Sequence, residues 1–213
     1  MPIMYDYRLT PLEQTIERIY STMDIREPHQ LDVETISHKL GIWVHYAPFS
    51  SRAIDRGGLQ SIVLDNRLSR QEQWQDFGHE LCHLMHHAGN QLSMGESFIR
   101  LQETKATNFA YQFCVPTFML LAVELPRLES EAAASIAAVF GVTSEFAGER
   151  LKRHRRQLTS ARIAERLTAY FHAEEIVKRN QGIDYIVPTG GSRMLLCRER
   201  GVIGYMRDRD ETD

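Results

Sequence analysis

Cysteine is scarce in this chain. Three stand among 213 residues, Cys82, Cys114 and Cys197, odd in number and without the C-x-x-C spacing of a zinc knuckle or redox pair. That excludes a disulfide-stapled scaffold and fits reduced thiols in a cytoplasmic protein. Charge of one sign is also lacking. The formal net charge is −3, so no global field draws the chain to nucleic acid or a membrane surface. The longest apolar run, around Phe118 to Val123, falls far short of the ~20 residues that span a bilayer. Residues 1–6 offer neither a charged n-region nor an apolar h-region, so no signal peptide is expected. Internal repeats and low-complexity tracts are missing too. What remains, 43% hydrophobic and 25% charged residues, is ordinary globular composition, enough for one domain or a domain with a smaller appendage.

Hydrophobic spacing organises the rest. Leu12, Ile16, Ile19 and Tyr20 predict a helix over Leu9–Met23, with Pro11 at its first position. Asp32–Leu40 reads as a short helix stopped by Gly41. Strands are expected at Ile42–Tyr46 and Leu59–Leu64, with a loop from Pro48 to Gly58 between them. Ser69 and Glu72 form an N-cap pair, so a third helix starts there and runs to Gly89-Asn90. Trp74, Phe77, Leu81, Leu84 and Ala88 line one of its stripes. Helices follow over Phe98–Val115, Pro116–Glu124, Glu129–Phe140, Ser144–Leu158 and Ala161–Lys178, and strands between Tyr185 and Met206.

The third helix carries His79-Glu80-Leu81-Cys82-His83. In this H-E-x-x-H string the two histidines lie four apart, on one helical face, where both imidazoles can reach one metal ion. Glu80 projects beside them as a base for the attacking water. Cys82, three residues from His79, turns partly round the helix and reads as a small buried residue rather than a ligand. His86 or His87 extends the histidine face. A catalytic zinc site wants a third protein ligand and one open position. The extension H-E-x-x-H-x-x-G-x-x-H fails, because His86 stands where glycine is required and Gly89 where histidine is required.

Glu96 and Glu103 are the carboxylate alternatives. Glu96 falls in the connection before the next helix. Glu103 continues the apolar stripe of Ala106, Phe109, Ala110 and Phe113. A carboxylate on that inward face is costly unless it meets a cation or metal. The expected site is therefore His79, His83 and Glu103 around Zn2+, with Glu80 catalytic. Tyr111 and His172 both stand as oxyanion donors, and Thr107 and Asn108 as groups orienting the imidazoles.

Five pieces of text, Asp32 to Gly41, Gln60 to Leu64, Gly78 to His83, Glu103 to Ala110 and the closing Pro116, together resemble the ImmA/IrrE family of bacterial and phage metallopeptidases. The family reads approximately E-x-x-A-x-x-F-A and then proline over the last two pieces. The resemblance spans roughly residues 30 to 155. It implies a compact zincin whose third ligand is a glutamate. It also implies a protein substrate, since many members sit beside a DNA-binding repressor in a mobile element and relieve repression by cutting it. Cys82 and Lys105 depart from the glycine-like and acidic residues usual at those positions.

Ala134 to Thr143, followed by Glu149 to Leu151, reads like helix-turn-helix text, with Lys152-Arg153-His154-Arg155-Arg156 as phosphate contacts. Two packed helices with a solvated basic end are the competing reading. The fold class expected is α+β: a mostly helical zincin-like core with a small mixed or antiparallel sheet, plus a helical and β C-terminal extension. The domains expected are residues 1–125 (zincin-like peptidase), 126–158 (helix-turn-helix-like) and 159–213 (extension). A zinc metalloendopeptidase acting on a repressor or antirepressor-system protein is the leading function. A DNA-binding regulator with the zincin core as scaffold is the alternative.

Overall fold

Thr10 opens α1 (Pro11–Thr22) with a reciprocal cap. Its hydroxyl accepts from Glu13 N at 3.3 Å, and the Glu13 carboxylate accepts from Thr10 N at 2.7 Å. In α2 (Val33–Leu40) Asp32 caps Thr35 N at 2.9 Å, and Gly41, with φ of 70°, closes the helix in the left-handed region. The structure, a computed structural model, describes residues 7–86, 96–190 and 192–207. It is an α+β fold in two compact units, Met1–Arg155 and Arg156–Asp213.

The first unit holds a mixed three-stranded sheet in the order β1-β3-β2. β1 (Trp43–Ala47) runs parallel to β3 (Leu59–Asp65), and β2 (Arg52–Arg56) is antiparallel to β3. β2 occupies what the sequence presents as a loop. Its Arg-Ala-Ile-Asp-Arg text has no apolar run. The strand forms because Gly57 and Gly58, at φ of 63° and 90°, turn the chain back, with Asp55 accepting from Gly58 N at 3.2 Å. Ile62 and Leu64 of β3 point into the core, on the face covered by α3 (Arg70–His86).

α4 (Glu96–Cys114) packs along α3. It begins at Glu96, so that residue is helical rather than part of a loop, and it pairs with Arg100 at 3.3 Å on the surface. α5 (Thr117–Leu120) is a single turn after Pro116. α6 (Glu129–Phe140) ends at Gly141, at φ of 63°, and Thr143 caps the next helix by accepting from Phe146 N at 3.3 Å. Ile136 and Phe140 of α6 join Phe77, Phe109, Phe113 and Leu151 in one hydrophobic cluster. The helix-turn-helix-like text thus builds core.

α7 spans Ser144–Gln181 without a break, where the sequence suggested two helices. Thr159 and Ser160 are indifferent helix formers, but Ala161 is a strong one, and the junction contains neither glycine nor proline to interrupt the hydrogen-bond ladder. The second unit closes with an antiparallel sheet in the order β4-β5-β6 (Tyr185–Thr189, Ser192–Cys197, Gly201–Arg207). Among the described residues no helix is long and apolar enough to cross a membrane.

Arg150 ties the first unit together from inside. The side chain is fully buried, donating to Val115 O (3.1 Å), Gln112 Oε1 (2.8 Å) and Thr117 Oγ1 (2.7 Å). Thr117 in turn donates to Glu13 Oε1 at 2.5 Å, and Glu13 also accepts from Tyr7 at 2.9 Å. Burial pulls the Arg150 pKa down to about 10, against the opposing pull of Glu13. Glu13 feels burial in the other direction, yet the hydrogen bonds from Thr117, Thr10 and Tyr7 hold it below the usual carboxylate range.

Candidate metal centre

His79 and His83, one turn apart on α3, meet Glu103 from α4. His79 Nε2 lies 3.2 Å from Glu103 Oε2, His83 Nε2 lies 3.5 Å from Glu103 Oε1, and the two Nε2 atoms are 3.1 Å apart. The three residues form a group whose ligand atoms all lie within 4.8 Å of one another. Tetrahedral coordination with bonds of ~2.0–2.1 Å puts neighbouring ligand atoms ~3.3–3.4 Å apart. The observed separations bracket that value, so two imidazoles and one carboxylate fit a zinc-sized ion.

Glu103 is not buried as its place on the apolar stripe suggested. Ala106, Phe109, Ala110 and Phe113 are buried, whereas the Glu103 side chain is 47% exposed. It sits at the rim of that stripe, where the carboxylate reaches the histidine face without paying for full desolvation. His87, Ala88, Gly89 and Asn90 lie outside the described residues, as do the side chains of His86 and His172.

Glu80 faces the β-sheet side of the group. Its Oε2 accepts from the backbone N–H of Ala53 in β2 at 2.8 Å. Burial pushes its pKa up to about 7. The Ala53 hydrogen bond opposes this, and the nearby Asp76 and Glu103 charges add to it. One turn earlier on α3, Asp76 accepts from Ser51 Oγ at 2.5 Å, and Ser51 Oγ accepts from Asp65 N at 3.0 Å. Two carboxylates on successive turns therefore catch the entry of β2. Sequence reasoning missed this pairing because it left residues 48–58 as loop. The only hint was the Asp76/Glu80 spacing on the histidine helix.

Cys82 is buried, and burial pushes its thiol up to about 12, so it remains protonated and packs as a small apolar residue. Gly78, beside His79, lies hard against α4. A Cβ there would meet Cys114 Sγ at 2.8 Å. Tyr111 packs against Phe146 in a tilted pair with ring centroids 4.4 Å apart and has the Arg153 guanidinium over its face, while Asn108 Oδ1 accepts from Arg153. Both residues thus engage α7. Of the basic run, Arg153 also pairs with Glu149 (2.9 Å), Arg155 with Glu129 (2.7 Å), and His154 is buried.

The model of the peptidase M78 family, described as the IrrE N-terminal-like domain, matches residues 38–152. The phage-like element PBSX protein XkdA of Bacillus subtilis (strain 168) is 48% identical over 164 residues, 77% of this chain and 82% of that protein. A second protein of the same strain, YqaB, is 37% identical over 162 residues, 76% of this chain and 94% of its own length. Among solved structures, a Mycobacterium tuberculosis transcriptional regulator aligns at 18% identity with a TM-score of 0.47. That alignment covers 65% of this chain and 46% of the regulator, so this chain spans less than half of its length.

Proposed function

Since the chain belongs to the IrrE N-terminal-like (M78) family of peptidases, we propose that it is a zinc-dependent endopeptidase cutting a regulatory protein, a DNA-binding repressor of a phage or mobile element. The convergence of His79, His83 and Glu103 at 3.1–3.5 Å, with Glu80 held beside them, carries this reading. The kinship with a protein of a phage-like element supports the substrate class.

In this reading His79, His83 and Glu103 hold the ion. Zinc, when bound, supplies Lewis-acid polarisation of the scissile carbonyl and acidifies the attacking water. Glu80 takes the water's proton and returns it to the leaving amine. Ala53 N–H fixes the orientation of the Glu80 carboxylate through Oε2. β2 is an outer strand of the sheet, so an extended substrate segment can align beside it and close to Glu80.

Glu80→Gln tests the mechanism. The variant should keep about one zinc per chain and leave intact a co-expressed repressor from the same element that the parent protein cuts. Undiminished cleavage by the variant would refute the role of Glu80. Parent protein that purifies without zinc and fails to take it up would refute the metal reading.

A further inference from the structure

Away from the metal group, a cavity of about 700 Å³ lies where the first turns of α2 and α3 meet β1 and the end of α6. Its volume falls in the ~300–1,000 Å³ range of small-molecule sites. Charge divides its wall. Asp32 and Glu34 come from α2, whereas Arg70 opens α3. Among the described residues none of the three has an ion-pair partner. Tyr46 of β1 stands among them, its hydroxyl donating to Glu34 Oε1 at 2.9 Å. Burial, Glu34 and Asp32 push its pKa up to about 12, against the opposing pull of Arg70. Helix ends repeat the division. The positive end of α3 lies at Arg70 and the negative end of α6 at Gly141, both in the wall, while Asp32 answers the positive end of α2 by accepting from Thr35 N at 2.9 Å. Trp74 and Phe140, both buried, add apolar lining. Trp74 is 5% exposed, and its indole Nε1 has no hydrogen-bond partner. A buried N–H without an acceptor is costly and rare in native proteins.

A ligand matching this wall carries a positive group, a negative group and an acceptor between them. If compact, a cavity of this volume is roughly 9 Å across, the reach of about three extended residues at ~3.3–3.6 Å each. A free amino acid holds both charges on one carbon, whereas a short peptide carries them at opposite ends. We propose that the cavity binds a short peptide with free termini: its ammonium lies at Asp32 and Glu34, its carboxylate at Arg70, and a main-chain carbonyl accepts from Trp74 Nε1. This site is distinct from the metal centre, since Trp74 precedes His79 by five residues on α3, and it stands whether or not that centre cuts proteins.

Equilibrium dialysis tests this, with the radiolabelled tripeptide Ala-Leu-Ala and the zinc-loaded full chain carrying Glu80→Gln to keep the peptide whole. Circular dichroism verifies the folding of each further variant. The free tripeptide should bind with a Kd of about 0.1 mM, the efficiency of ordinary ligands of its size. Its N-acetyl and C-terminal amide forms should each bind about fivefold more weakly, as the loss of one exposed charge pair predicts. Arg70→Ala should weaken the free tripeptide by the same factor and leave the amide form unchanged. Glu34→Gln should likewise weaken the free tripeptide and spare the N-acetyl form. Absence of binding at millimolar peptide would overturn the proposal, as would equal binding of the three forms or an equal effect of Arg70→Ala on all of them. Binding that survives Arg70→Ala and Glu34→Gln but is lost on removing zinc would place the peptide at the metal centre and overturn it too.

Discussion

Gly78→Ala separates the α3–α4 contact from the chemistry of the ligands. The new Cβ would stand 2.8 Å from Cys114 Sγ, 3.4 Å from Phe113 Cδ1 and 3.5 Å from the Ala110 backbone. Ordinary contact needs ~3.5–4.0 Å, so the thiol must retreat by about 1 Å. It has little room: Cys114 is fully buried, and its thiol donates to Trp74 O at 3.4 Å. The helices must then part, and they carry the histidines on one side and Glu103 on the other. Overpacking costs about 1–3 kcal/mol, against a gain of ~1 kcal/mol from replacing a helical glycine. Net destabilisation of about 0–2 kcal/mol is expected in urea unfolding. Zinc affinity should fall further, by about 10–100-fold, as when groups that position metal ligands are disturbed. Chelator competition reads that affinity directly. Cys114→Ala added to Gly78→Ala should recover much of it by vacating the Sγ position. Unchanged zinc affinity in Gly78→Ala, or no recovery in the double variant, would refute the reasoning.

Arg150→Ala should cost about 3–5 kcal/mol in chemical denaturation, since it leaves Val115 O, Gln112 Oε1 and Thr117 Oγ1 without their buried donor and removes the positive charge near Glu13. Glu13→Gln in the same chain should return part of that loss. His154 gives the stability a pH dependence. Burial, aided by the Arg150 charge and opposed by Glu13, holds its pKa down to about 4, whereas the unfolded chain takes up that proton near ~6.5. Between those values the unfolded state binds more protons, so stability is full above ~6.5 and falls as pH drops toward ~4, by about 3 kcal/mol at most. Urea unfolding of His154→Gln should show a flatter profile over this window. Gel shifts should reveal no salt-sensitive DNA binding that depends on Lys152 and Arg156, because Arg153 and Arg155 are engaged within the protein. Binding that vanished on neutralising those two residues would favour the regulator reading instead.

Local signals were the legible ones. The His79/His83 spacing, the failed third-histidine extension and the stripe leading back to Glu103 brought the three ligand candidates together from text alone. The helix cap at Ser69 is equally local, and it forms, Glu72 N donating to Ser69 Oγ. β2 was hidden because nothing in Arg52–Arg56 marks a strand until β3 pairs with it. The Glu13–Thr117–Arg150 network joins residues 33 to 137 positions apart, and hydropathy patterning carries no signal for such partners. The exposure of Glu103 was misjudged because its helical angle gave the direction of the side chain but not how much of it the neighbouring helix covers.

The hydrogen bond from Ala53 to Glu80 is made by main chain, and that changes what mutation can do to it. Any residue except proline at position 53 presents the same N–H. The side chains along β2 are therefore at liberty to drift, and with them the surface beside the proposed base, while the carboxylate stays tethered. A lineage following a changing target could rewrite this strand without having to rebuild the orientation of Glu80.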